Sequence, residues 1–472
     1  MTDSGGMHPP RRPRSGRLLT PLRALLLSVL WMAAACSDGG TDAAELGLDD
    51  GPTRLALEPG DDPAQAVDQL AVPPTTRAQT DVDDPPADAL ASTEGAAAGD
   101  GVSNEAEDND EDDSPPVEEQ AGDEDDDPVV DDADALVDQL VAFVETERGH
   151  RFAEPPSIEW LPDAAFAGAV ADLVAADAAR FATELEHQTR LQRALGILGP
   201  DQDLVSIQES FGDAGITALY DPNTGVISVR DEPISPLLRT SLVFELTRAL
   251  DDQQFGIRRP EGVAAVAEVE WARAALVHGS AAEITNRYRA TMSASDVAEE
   301  EAQVAALPRN VSLSLFTDAF LELQFGRQFY GEVAVAGLWE DGQSSVDAAL
   351  ADPPESSERL IVGAAADAPD TVATPPADAA PIADGVWGQA GWIALFTGLF
   401  TPEEAEALTD GWGGDAWVVW EAGTQSCVRL HLTADSPEAL DRYADALDQW
   451  AAEGDRQLFF PTADLIRVTA CG

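Results

Sequence analysis

The sequence predicts an α+β fold, on three observations. Beyond about residue 134, long stretches repeat apolar residues at helical spacing; a hairpin signal interrupts them near residue 222; and short alternating runs gather close to residue 472. The expected body is mostly helical, with the hairpin ahead of a central helix and a small C-terminal sheet.

The chain has 472 residues, but the first 130 do not read as globular. Residues 1–35 carry a basic run from Arg11 to Arg23 and an apolar run from Ala24 to Ala35, too short to span a bilayer, which reads as a secretory signal. Ala33-Ala34-Ala35-Cys36 resembles the lipobox of bacterial lipoproteins, although that family usually has Leu where Ala33 stands. The resemblance implies a lipid on Cys36, and with it a membrane anchor on the extracytoplasmic face. The alternative is ordinary signal-peptidase cleavage after Ala35, with a secreted product and Cys36 a spare thiol.

Residues 36–130 read as a disordered acidic linker, ending in NEAEDNDEDDSPPVEEQAGDEDDDPVVDD. Low hydropathy and like charge leave too little apolar surface to offset the entropy of ordering. A flexible coil of this length spans roughly 50 Å. Asp108, Asp110, Asp112 and Glu119 mimic part of an EF-hand loop, but Asp113 occupies the position that needs Gly, so the segment is read as solvated spacer.

Charge narrows the function classes. There are 88 acidic residues against 27 basic ones, a net charge of −61, and every one of the 27 is Arg. Lysine chemistry is excluded, and nucleic acid is not an expected partner because phosphate binding needs a positive surface. With Cys36 lipidated, Cys427 and Cys471 remain, each in or beside an alternating run (residues 425–432 and 464–472). A disulfide between neighbouring strands is expected in an oxidising compartment, the alternative being two buried thiols.

Residues 131–472 form the expected folded domain. Leu136, Leu140, Phe143 and Val144 mark a first helix, and Asp163 to Leu198 a long Ala-rich helical region broken once. GITALYDPNTGVISVR (residues 215–230) is the hairpin, followed by helices over 235–254 and 263–289. A helix over 313–337 precedes the Pro-marked short helix of DPPESSERLI (352–361) and a Pro/Ala-rich loop, 364–384. One helix, the turn GWGGD (411–415), two strands, a helix over 437–452 and a final strand complete the reading.

The central helix carries SLVFELTRALDDQQFG, residues 241–256. A zinc peptidase needs two imidazoles one helical turn apart and a Glu beside the first, the H-E-x-x-H pattern. The segment resembles the active-site helix of secreted zincin-like metallopeptidases of the gluzincin type, which reads close to HELTHALQDQHF. Tyr220-Asp221-Pro222 is similar to that family's hairpin, and Leu276-Val277-His278-Gly279-Ser280-Ala281 to its third-ligand helix. Asp352 to Glu358 is similar to its DPP-x-S-x-E segment, and Gly411 to Asp415 to its G-W-x-G-D turn.

What the resemblance implies is a zincin-like domain whose ligand positions have been lost. Phe244 and Arg248 stand at the two histidine positions and His278 at the glutamate position, while the general-base position keeps Glu245. Phe offers no ligand atom and Arg no lone pair. Zinc is therefore expected to be absent, no catalytic residue is expected, and the domain reads as a pseudopeptidase. Arg248 is expected beside Glu245 in place of the ion, and Phe244 against His278. The plainer alternatives are an exposed Arg248 and a satisfied buried His278. His150, His187 and His431 show no paired spacing, and no G-x-S-x-G elbow is present.

Three functions follow as expectations. The first is an exported binding or scaffold module for a peptide or protein ligand, with residues 225–230 as the strand beside the groove. The second is a metallohydrolase with unusual ligands, Glu245 and His278 with one of Glu268, Glu270 or Glu283. The third is a structural envelope protein whose acidic stalk does the work.

Overall fold

The computed structural model describes residues 128–472, apart from 214, 258–267, 308–311, 364–365 and 453. The signal sequence, Cys36 and the acidic linker up to residue 127 lie outside the described residues. The fold is α+β, with sheets of three and five strands among the described residues.

Helix α1 (Pro128–Arg148) begins three residues ahead of the boundary read at residue 131. It is followed by β1 (Ser157–Leu161), α2 (Asp163–Arg180), α3 (Ala182–Ala194) and α4 (Leu204–Phe211). The one break expected in the Ala-rich region falls at Phe181, between α2 and α3. The hairpin is β2 (Ala218–Asp221) and β3 (Val226–Arg230), closed by Asp221, whose carboxylate accepts from Asn223 N at 2.9 Å, and by Gly225 at φ 72°. β3 lies in the middle of the sheet, parallel to β1 on one side and antiparallel to β2 on the other. Its backbone is therefore already paired on both edges, which corrects the expectation that residues 225–230 could border a peptide groove.

Helix α5 (Pro236–Phe255) starts and stops where its sequence directs. Ser235 Oγ accepts from Leu238 N at 3.1 Å, Pro236 opens the first turn, and Gly256 at φ 67° ends the helix in the left-handed conformation. Leu238, Leu242, Leu246 and Leu250 are fully buried among Ile227 and Val229 of β3, Leu140 and Val144 of α1 and Ile284 of the next helix. That helix is α6 (Glu268–Thr291), followed by α7 (Ala294–Ala306), a 3₁₀ turn at Leu313–Leu315, α8 (Asp318–Glu340) and α9 (Gln343–Ala351). The sequences of α7 and α9 do not announce a helix, because short Ala-rich stretches carry little periodic contrast.

After α10 (Ser357–Val362) the loop expected over 364–384 contains strand β4 (Pro381–Gly385). Two helices, not one, come next: α11 (Gly388–Thr397) and α12 (Pro402–Leu408). Trp412 to Asp415 are not a turn but the start of β5 (Trp412–Ala422), which is buried on both faces over its first nine residues and so lacks the alternation that marks a strand. β6 (Gln425–Ala434), α13 (Pro437–Ala451), β7 (Arg456–Thr462) and β8 (Leu465–Cys471) complete an antiparallel sheet in the order β4-β5-β6-β8-β7, with two terminal strands where one was expected. Cys427 and Cys471 face each other across β6 and β8 and are joined in a disulfide.

The tightest packing lies where α8 crosses α6. A methyl group placed on Gly331 would sit 1.9 Å from the Ala275 carbonyl oxygen, and one on Gly279 would sit 2.2 Å from the Gly331 carbonyl oxygen. Both obstacles are main chain and cannot rotate away, so the helices must part to admit even one carbon. Gly331→Ala should therefore cost roughly 3 kcal/mol or more of stability in urea unfolding. Gly337→Ala, on the same helix with open space around it, is the control and should raise stability slightly through helix propensity. Equal effects from the two would remove the close crossing as a constraint.

Candidate functional site

The α5–α6 pair brings together the four positions singled out in the sequence. Phe244, Glu245 and Arg248 lie on α5 within about one turn, and His278 on α6 faces them. The Phe244 and His278 rings are 5.2 Å apart between centroids at a 58° tilt, and Phe244 also packs on Ala281 and Ala282. Arg248 Nη1 donates to Glu245 Oε2 at 2.7 Å, and the same oxygen accepts from the Tyr220 main-chain N–H at 3.0 Å. The guanidinium also lies 5.9 Å from the Tyr220 ring centroid. Of the two readings of Arg248, the interior one holds.

The site is closed. Phe244 is 1% exposed, Glu245 5%, Arg248 3% and His278 1%, so the four side chains are shut off from solvent. Burial works to raise the Glu245 carboxyl, while Arg248 and the Tyr220 N–H work to lower it. His278 Nε2 lies 3.6 Å from Glu332 Oε1 on α8. Burial depresses the imidazole below its usual value; Glu332 pulls the other way, and Arg327 and Arg248 add to the depression.

Residues that the sequence reading missed extend this polar core. Asp251, three positions after Arg248, accepts from Arg148 Nε at 2.8 Å and from Ser280 Oγ at 2.6 Å. Arg148 is fully buried and continues to Asp347, Nη1 to Oδ1 at 2.9 Å, whose other oxygen meets His150 Nε2 at 2.9 Å. Asp251 and Ser280 share helices with the singled-out residues, so their helical phase was a usable signal. Arg148 lies 103 residues before Asp251 and offered none.

The three acids considered as alternative ligands are engaged elsewhere. Glu270 forms a two-point contact with Arg273, at 2.7 and 2.5 Å. Glu283 accepts from Arg287 Nε at 3.0 Å, and Glu268 accepts from Ser357 N. Among the described residues, no group of three His, Cys, Asp or Glu side chains is arranged to hold a metal ion.

The two later segments quoted from the sequence meet at a joint away from α5. Ser357 Oγ accepts from Ala390 N at 3.0 Å while its own N–H is held by Glu268. Asp415 accepts from Trp387 N, Gly388 N, Trp392 Nε1 and Trp412 Nε1, at 2.6, 3.0, 2.8 and 2.9 Å. Burial pushes Glu268 up to about 7, and burial with the carboxylates of Asp435, Asp367, Glu268 and Asp410 pushes Glu358 up to about 8.

No protein-family model matches the chain, and no characterised protein or solved structure is significantly similar to it.

Two outcomes follow from the polar core. Arg248→Met strands the Glu245 charge in a dry interior and should cost about 3–5 kcal/mol, whereas the double variant Glu245→Gln/Arg248→Met should lose less than that single variant, as urea unfolding of all four proteins would report. Additive losses would mean the two side chains do not act as a pair. For His278, the unfolded chain takes up a proton near pH 6.5 that the folded chain refuses until lower pH. The stability contributed by the neutral ring is then complete above about pH 6.5 and is lost as pH falls below it. His278→Gln should flatten that part of the stability profile, and an unchanged slope would assign the acid loss to other groups.

Proposed function

We propose that the chain is an exported surface protein, anchored by a lipid on Cys36, whose folded module is a catalytically inactive zincin-like domain that works by binding. The observation carrying the inactive reading is the Arg248–Glu245 contact at 2.7 Å. A general base must reach a polarised water. Here the only carboxylate at the family's base position is held by a guanidinium and a main-chain N–H, behind side chains at most 5% exposed. Phe244 and His278 fill the remaining space with their rings packed at a tilt, which supports a core converted from chemistry to packing.

Binding is assigned to surfaces other than the α5–α6 core, since β3 has both edges paired and the former cleft is filled. The metallohydrolase reading has no specific observation in its favour: its extra acids hold Arg273, Arg287 and Ser357. The reading in which the stalk is the working part concerns residues outside those described.

Metal analysis of the full exported chain, purified without chelators, tests the proposal. The wild-type protein should carry no stoichiometric zinc, and the variant Phe244→His/Arg248→His/His278→Glu should take up about one zinc per chain, since three ligands on two packed helices restore the family's set. Stoichiometric zinc in the wild type would overturn the inactive reading. A triple variant that folds but takes up none would overturn the zincin-like one.

A further inference from the structure

Strand β8 sends Ile466, Val468 and Ala470 into the core, so Arg467 and Thr469 stand on the opposite face of the larger sheet. A trough of about 470 Å³ lies over that face, with Arg429 of β6 and Asp378 on one side and Phe459 and Phe460 of the edge strand β7 on the other. The two phenylalanines are 51% and 58% exposed. Strict alternation would send them to opposite faces, but the register against β8 shifts by one residue between Phe459 and Thr462, and both line the same trough. The result is an apolar wall with no cover among the described residues.

The trough also holds a cation that lacks a counter-charge. Arg429 is answered by Asp378, at 2.7 and 3.1 Å. Arg467 is not: its Nε donates to His431 Nε2 at 3.1 Å, and its two Nη groups have no acceptor among the described residues. His431 aims this guanidinium without cancelling its charge. Nδ1 donates to the Ala373 carbonyl oxygen at 3.2 Å, which leaves the Nε2 lone pair to accept from Arg467. Burial first, and then the charges of Arg467 and Arg429, depress the imidazole against the pull of the Ala373 carbonyl, so the ring is neutral. Carboxylates outnumber arginines 88 to 27 in this chain, yet none among the described residues is placed on Arg467.

We propose that the trough binds a carboxylate carried on an apolar body, the carboxylate accepting from the Nη groups of Arg467 and the body lying against Phe459 and Phe460. A guanidinium presents paired donors that match the two oxygens of a carboxylate. Asp378 at the rim and a net charge of −61 favour a ligand with one negative charge over one with two. The volume is that of a small-ligand site, and a free organic acid and the terminal residue of a peptide share the required chemistry. The site rests on the C-terminal sheet alone, so its failure leaves the reading of the α5–α6 core untouched.

The test titrates the full chain by calorimetry at low ionic strength with two acid and amide pairs: 3-phenylpropionate and 3-phenylpropanamide, and acetyl-Gly-Gly-Phe with a free or an amidated C-terminus. At least one acid should bind at a single saturable site, with its amide weaker by about tenfold or more, and the tighter of the two acids identifies the source of the carboxylate. Arg467→Gln should weaken that acid by about tenfold and leave its amide where it was. Phe459→Ser/Phe460→Ser, at exposed positions that spare the core, should weaken acid and amide alike. Arg151→Gln removes the same charge from an exposed position on another part of the fold and should change nothing. Equal binding of acid and amide in both pairs, absence of saturable binding, or an equal loss in the Arg151 variant would each overturn the proposal.

Discussion

Helices α6 and α8 meet main chain against main chain, and the positions of Gly279 and Gly331 at that crossing set much of what surrounds them. Gly279 follows His278 directly, and Gly331 precedes Glu332. The approach that only glycine permits therefore also delivers Glu332 to within 3.6 Å of the imidazole. With α8 pressed on one side and α5 on the other, α6 is buried around its whole circumference over residues 272–282. Side chains there cannot swing outward to water. The polar groups among them are answered inside the protein: Ser280 by Asp251 of α5, and Arg273 by Glu270 one turn earlier on α6 itself.

The cations in this interior are all guanidinium groups. Arg148, Arg248 and Arg273 are each at most 7% exposed, and each holds a carboxylate: Asp251, Glu245 and Glu270. A chain without lysine has no other choice, and the choice suits the setting. Arginine is less strongly hydrated than an ammonium group and places several donors in one plane, so less is lost when water is stripped away. Such pairs add little net stability against an apolar replacement, but each half strongly constrains its partner. They fix which residues face one another more than they fix how stable the assembly is.

Much of this was legible in the sequence where the signals were local. Ser235, Pro236 and Gly256 bounded α5, Asp-Pro-Asn-Thr-Gly marked the hairpin, and alternating runs placed Cys427 opposite Cys471. Helical spacing alone grouped Phe244, Glu245 and Arg248, whereas only the resemblance to zincin-like peptidases set His278, on a separate helix, beside them. Non-local pairing was opaque. β1 finds its partner 69 residues downstream, Ser157 opposite Val226, and SIEWL alone has no turn or periodic flank to announce it. β4 hides in Pro- and Ala-rich sequence because its register is imposed by β5.

The order of strands in the larger sheet has a temporal side. β8 ends at Cys471 yet lies between β6 and β7, not at an edge. Without residues 465–471, β6 lacks its neighbour, β7 has nothing to join, and Cys427 lacks the cysteine it pairs with. The sheet cannot be assembled strand by strand as the chain appears. Removing the seven-residue strand β8 would leave β6 and β7 each with an unpaired edge in the middle of the sheet, so the larger sheet closes only when β8 joins it.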